Sequence, residues 1–160
     1  MKIRQNVKKI KTGSKNGFTL IELLVVITVI GLLASIVLVS MGSVRKKARD
    51  ARRQADIRQI GTAMEFYYSD NSDKYLLTTA GANTVTAIGP SGTYLPVVPK
   101  DPTDVSPQQY TWAANSANQQ LYCVYVKLEN VADTYFCSSE RGTLSKVYSS
   151  GAPSLGACCY

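Results

Sequence analysis

The chain has 160 residues, with 18 Lys and Arg against 11 Asp and Glu, four cysteines and no histidine. That length suits one small domain with an anchor or tail, and the missing histidine removes the commonest general base and metal ligand. Six of the basic residues fall in the first 17 positions, which hold no acid. Without them 12 basic residues face 11 acids, a formal net charge of +1, so the basic character belongs to one segment and argues against nucleic acid as a partner.

That leader (Lys2, Arg4, Lys8, Lys9, Lys11, Lys15) ends at Gly17, and an apolar run begins at the next residue. Residues 18–41 contain a single ionisable group, Glu22. These 24 residues reach about 36 Å at helical rise, enough to cross a hydrocarbon core of roughly 30 Å. A carboxylate in such a run costs a few kcal/mol to insert, which predicts a partner or a task for Glu22. A secretory signal peptide fits poorly. Its cleavage site follows its apolar core, after small residues, whereas the junction here precedes the core. Gly31 and Ser35 form a small-xxx-small pair that lets another helix approach closely.

The residues Gly17-Phe18-Thr19-Leu20-Ile21-Glu22, leading straight into that apolar run, resemble the amino-terminal signal of type IV pilins and type II secretion pseudopilins. The resemblance implies that a membrane-embedded prepilin peptidase cuts between Gly17 and Phe18 and methylates the new amine on Phe18. It also implies that Glu22 serves assembly, and that an assembly ATPase and a platform protein act on the product. The precursor would sit once across the cytoplasmic (inner) membrane with its carboxyl-terminal head outside, and the product would be a cell-surface filament of identical copies. Charge alone nearly balances, because Arg45, Lys46, Lys47, Arg49, Arg52 and Arg53 flank the far end of the span, diluted by Asp50. The signal and the cysteines place the head outside. Related pilins often carry a proline before the end of this helix; here Gly42, between Ser40 and Ser43, is the nearest substitute.

The expected fold is α+β: a long amino-terminal helix, membrane-spanning in its first half and amphipathic in its second, packed on a small antiparallel β-sheet head. The expected divisions are a cleaved leader at 1–17, the spanning half of the helix at 18–42, its amphipathic half at 43–69 and the head at 70–160. Over 43–68 Arg, Lys, Ala, Gln and Ile dominate and no proline intervenes. Val44, Ala48, Ala51 and Ala55, then Ile60, Ala63, Met64 and Tyr67, recur at helical spacing and predict the face that packs on the head. Arg45, Arg49, Arg52 and Asp56 lie opposite, with Arg52 and Asp56 able to pair at i, i+4; subunit contacts suit this stripe better than DNA.

Ser69 to Lys74 read as a turn. Residues 75–109 show little periodicity and carry Pro90, Pro96, Pro99, Pro102 and Pro107, the composition of a long functional or contact loop. The segment resembles the variable region of pseudopilins, some of which bind calcium. Asp101 and Asp104 are its only carboxylates placed for that, a weak pair of metal candidates that turn chemistry explains better.

Strand patterns follow at 110–113, 121–128 and 134–138. In the second, Tyr122, Val124, Val126 and Leu128 share one face while Cys123, Tyr125 and Lys127 share the other. They predict a sheet of about three strands within 110–140, any further strand after Gly142 being open, and a tail at 141–160. All four cysteines (Cys123, Cys137, Cys158, Cys159) follow residue 120, which suits an oxidised, exported head better than a zinc site. A three-residue turn at 129–131 would set Lys127 opposite Asp133, Tyr125 opposite Tyr135 and Cys123 opposite Cys137, predicting a cross-strand disulfide. Pairing of Cys137 with Cys158 or Cys159 is the rival.

The sequence contains no Ser-His-Asp set, phosphate-cradling glycine loop or Cys-x-x-Cys pair, so no catalytic or cofactor-binding residue is assigned. The reading is therefore a structural subunit of a type IV pilus-like filament, cut after Gly17 and polymerised through its apolar helix. The alternative is a pseudopilin of a type II secretion or DNA-uptake system. A more distant one is a signal-anchored exported binding protein or enzyme. In this reading Glu22 pairs with the Phe18 ammonium of a neighbouring subunit, the one cation that cleavage creates at the same depth.

Overall fold

The computed structural model describes residues 17–148 and 151–158; the leader before Gly17 and Cys159 lie outside the described residues. The fold is α+β. One helix, α1 (Leu20–Asp70), comes first, and the chain divides into two compact units between Ser40 and Met41.

In the first unit, Leu20–Leu38 has a mean hydropathy of 2.8 and none of it is buried. Its Leu, Ile and Val side chains face outward all round, the distribution of a helix whose solvent is lipid or other apolar helices.

In the second unit, residues 41–70 of α1 pack on a five-stranded antiparallel sheet: β1 (Gly81–Ala82), β2 (Thr111–Trp112), β3 (Cys123–Lys127), β4 (Thr134–Ser139) and β5 (Gly142–Val147). The strands lie in chain order, β1-β2-β3-β4-β5. The sheet thus holds two more strands than expected and runs past residue 140. The helix contributes Ile57, Ile60, Ala63 and Met64 to the core, and the sheet answers with Tyr122, Val124, Val126, Leu128 and Phe136. The irregular segments on either side of β1, itself within the stretch expected to be a loop, are packed too, giving Tyr75, Val85, Ile88, Leu95 and Val98 to the same core. Its polar anchor is buried Asn115, whose amide accepts from Thr78 N and donates to the carbonyls of Leu76 and Leu121. Along the helix, Asp56, Glu65 and Asp70 accept phenol hydrogen bonds from Tyr110, Tyr75 and Tyr94 (2.6, 3.0 and 2.8 Å).

One half of the predicted packing stripe is corrected. Ile60, Ala63, Met64 and Tyr67 do face the head, but Val44, Ala48, Ala51 and Ala55 are exposed. The face that turns inward there carries Asp50, Arg53 and Ile57. Charge, not hydropathy, fixes the helix rotation at that end, because the head opposite it is acidic.

Gly61 marks the closest helix–sheet approach: a Cβ there would press directly on the Ser138 hydroxyl and lie 3.3 Å from the Tyr122 phenol. These two groups bond each other at 2.8 Å in a buried site. Gly61→Ala is expected to lower stability by about 1–2 kcal/mol, overpacking outweighing a helix-propensity gain of at most about 1 kcal/mol. Chemical denaturation of the two proteins checks this; an alanine variant of equal or higher stability would refute the contact.

The hairpin register and the disulfide also differ from expectation. Tyr125 lies opposite Cys137, Lys127 opposite Tyr135 and Cys123 opposite Ser139, a slip of two residues. An even slip keeps each side chain on its predicted face, so Tyr122, Val124, Val126 and Leu128 are buried as expected. The turn is longer because Asp50 holds the backbone N–H groups of Glu129 and Asn130 at 3.0 and 2.8 Å, with Asp133 in the left-handed region at φ 49°. Lys127 still reaches Asp133 at 3.0 Å, and Tyr125 and Tyr135 still touch edge to face as diagonal neighbours.

Cys123 bonds Cys158, closing 35 residues and bringing the tail onto the outer face of the sheet. Cys137 is buried alongside and is also disulfide-bonded. Cys158→Ser is expected to cost about 3–4 kcal/mol, the chain-entropy value for a loop of that size, read from thermal unfolding. Non-reducing peptide mapping should recover a peptide linking Cys123 to Cys158, and a link from Cys123 to Cys137 would contradict the fold.

Candidate assembly and processing site

At the entrance to α1, Thr19 and Glu22 bond reciprocally. Thr19 donates its backbone N–H and its hydroxyl to Glu22 Oε2, both at 2.8 Å, and Glu22 N–H donates to Thr19 Oγ1 at 3.3 Å. This is a capping box, with Thr19 as N-cap and Glu22 three residues into the first turn. It satisfies helix-terminal donors that water cannot reach inside a bilayer. Phe18 projects outward, 87% exposed. A side chain at Gly17 would meet nothing within 4 Å, and its backbone is not left-handed. The fold of this chain therefore places no demand for glycine at that position.

In the second unit, the end of the head that packs on residues 49–53 of α1 is locked by an ion network. Arg53, fully buried, donates to Asp50 Oδ1 at 2.8 Å and to Asp101 Oδ1 at 3.0 Å, and its Nη1 lies 2.6 Å from Glu129 Oε1. Arg49 grips Glu129 as a fork through Nε and Nη2, the bidentate geometry that suits a carboxylate. Two guanidiniums thus serve three carboxylates. The remaining acceptor capacity of Asp101 goes to Thr103 N–H, Thr103 Oγ1 and Asp104 N–H.

Residues 13–38 match the prokaryotic N-terminal methylation motif. Over 98 residues the chain is 34% identical to a type II secretion system core protein G of Klebsiella michiganensis, covering 56% of this chain and 68% of that one. Over 99 residues it is 33% identical to the core protein G of Vibrio cholerae, covering 58% and 68%. The chain belongs to the pilin and pseudopilin family. No solved structure matches it.

For a member of this family the residues fall into two groups. Gly17, Phe18 and Glu22 gather at the start of α1, where the signal is. The carboxylates of Asp101 and Asp104, the calcium candidates, are engaged by protein groups: Asp101 accepts from Arg53 and Thr103, and Asp104 from Asn83 and Gln109. Among the described residues no cluster of three potential ligands is present. Of the arginine stripe expected to serve subunit contacts (Arg45, Arg49, Arg52), Arg49 is reassigned, since it binds Glu129 of its own head. The predicted Arg52–Asp56 pair forms loosely, at 3.9 Å with Arg52 largely exposed, and adds little.

Sequence reasoning missed the capping box, although Thr-x-x-Glu before an apolar run is its signature. It also missed Arg53, two of whose three acidic partners lie 48 and 76 residues further along the chain and carry no local signal.

The network makes this pilin-family head acid-sensitive. Hydrogen bonds from Arg49, opposed by burial and reinforced by Arg53, depress the Glu129 carboxyl from 4.5 to about 2. Burial raises the Asp101 carboxyl, but bonds from Arg53 and Thr103 outweigh it and hold the group below its ordinary value. A depressed folded-state value means stability that is complete above about pH 4.5 and lost as pH falls towards 2. The midpoint of thermal unfolding should decline through that window, and by less in Glu129→Gln.

Proposed function

We propose that the chain is a structural subunit of a type II secretion-type pseudopilus. The precursor is cut between Gly17 and Phe18 by a prepilin peptidase, stored as a single-pass protein of the inner membrane with its head outside, and polymerised with copies of itself by an assembly ATPase and platform. The observation that carries this reading over a long type IV pilus is the extent of the similarity. Likeness to the core protein G relatives runs over 97–99 residues, far beyond the 26 positions of the methylation motif, which pilins and pseudopilins share.

The physics of the apolar helix supports it. Lipid covers residues 18–41 before assembly and neighbouring copies cover them afterwards, so one surface serves both states and the head stays hydrated throughout. Glu22 has two tasks in this account. Its carboxylate closes the capping box, and in the mature chain that holds it at the first peptide N–H, one residue from the new Phe18 ammonium. A neighbouring subunit's ammonium then finds an anion at its own depth.

Deleting the gene in the native cell tests the choice of machine. The proposal predicts loss of exported folded proteins from the medium with surface filaments unchanged. Loss of long surface filaments with export intact would assign the chain to a pilus instead.

A further inference from the structure

Three residues separate the apolar run from three consecutive cations, Arg45, Lys46 and Lys47, none of which the ion network of the head uses. All three are exposed, and none has an ion-pair partner among the described residues. The nearest acid along the chain, Asp50, is buried and committed to Arg53 and to the Glu129 and Asn130 N–H groups. The cations are therefore not neutralised from within the subunit. Consecutive helical residues are about 100° apart, so the three cover roughly 200° of the helix circumference. A partner docking on one helix face would meet only one or two of them. A headgroup layer, which surrounds a membrane-inserted helix on every side, meets all three. Met41 ends the apolar run, and the four residues from there to Arg45 climb about 6 Å at helical rise, the depth of the interfacial zone beyond the hydrocarbon.

We propose that Arg45, Lys46 and Lys47 form a collar that binds the phosphates of anionic phospholipids in the leaflet on the head side while the subunit is stored in the membrane. The inference rests on the membrane-anchored reading of the span. Long cationic side chains keep their stems on the apolar boundary and extend their charges to the phosphates, and each cation near an anionic surface favours binding severalfold. The collar holds the subunit at a fixed depth, and moving the subunit into a fibre has to break these contacts.

The test is full-length chain in nanodiscs of equal phosphatidylcholine and phosphatidylglycerol, with the lipids retained on the protein counted by native mass spectrometry. To remove the leader's own cations from the count, Lys2, Arg4, Lys8, Lys9, Lys11 and Lys15 are replaced by Gln in both chains compared. With the collar intact, the retained lipid is expected to be enriched in phosphatidylglycerol about fivefold. With Arg45→Gln, Lys46→Gln and Lys47→Gln together, retention should fall to the bulk ratio. Equal enrichment in both chains, or none in either, would overturn the collar. An unchanged lipid ratio in a triple variant that no longer assembles in cells would assign these cations to a protein contact. A chain that never enters the discs would overturn the anchored reading itself.

Discussion

Replacing Arg53 by methionine is expected to cost the head about 3–5 kcal/mol, because it leaves buried Asp50 and Asp101 without their cation, Glu129 keeping only Arg49. Small domains have only about 5–15 kcal/mol in total, so the unfolding midpoint should drop by on the order of 10–20 °C. The sign of this effect does not depend on whether the ion network is favourable relative to an apolar core. Taking two guanidiniums and three carboxylates out of water is expensive, and a well-packed hydrophobic replacement of the whole set could be as stable. Removing one member alone is a different change. It keeps the desolvation of Asp50 and Asp101, which are 6% and 4% exposed, and deletes what compensates it. Arg53→Met combined with Asp101→Leu should therefore recover part of the loss, a coupling that a double-mutant cycle measures directly. A midpoint shift of only a degree or two in the single variant would show that the network contributes little to the head.

At Glu22 the expected loss is in assembly. Glu22→Ala should insert and be cleaved normally but give fewer fibres by about a hundredfold or more, the factor for removing one side of a desolvated ion pair. Because Glu22 also closes the capping box, the alanine variant confounds two roles. Glu22→Gln separates them, since glutamine at that position still completes the box but carries no charge. If the charge acts on a neighbour's Phe18 ammonium, the glutamine variant fails as badly as alanine. If glutamine restores fibre yield, the carboxylate's contribution is to the helix start of its own subunit, and the pairing with a neighbour is wrong. Quantifying sedimentable fibres beside membrane-retained, processed subunit distinguishes these outcomes.

These two residues differ in how far the sequence exposes them. Glu22 stands out because one charge in a long apolar run has a physical cost that must be answered, and its neighbours Gly17 and Phe18 are contiguous with it. The two faces of β3 were equally legible, since alternation over 121–128 is a local pattern with period 2. Hairpin register was not. Counting from a three-residue turn gave a self-consistent set of pairs, but the turn length is set by Asp50 on the helix, 79 residues before Glu129. Arg53 was hidden for the same reason: it looks like one more cation in a basic stretch, and only the fold brings Asp101 and Glu129 to it. The exposed Val44-Ala48-Ala51-Ala55 stripe shows the converse error, where helical spacing of small apolar residues suggested packing on the head while the buried face carried charge. Long-range ion pairing outweighed a weak hydrophobic stripe.

The central claim is that the junction between Gly17 and Phe18 is a processing site that makes an assembly-competent subunit. Intact-mass analysis of the protein purified from its native membrane tests it most directly. The account predicts a chain beginning at Phe18 with one methyl group on its amine, its disulfides intact. A chain that still begins at Met1, or begins beyond the apolar run, would contradict it.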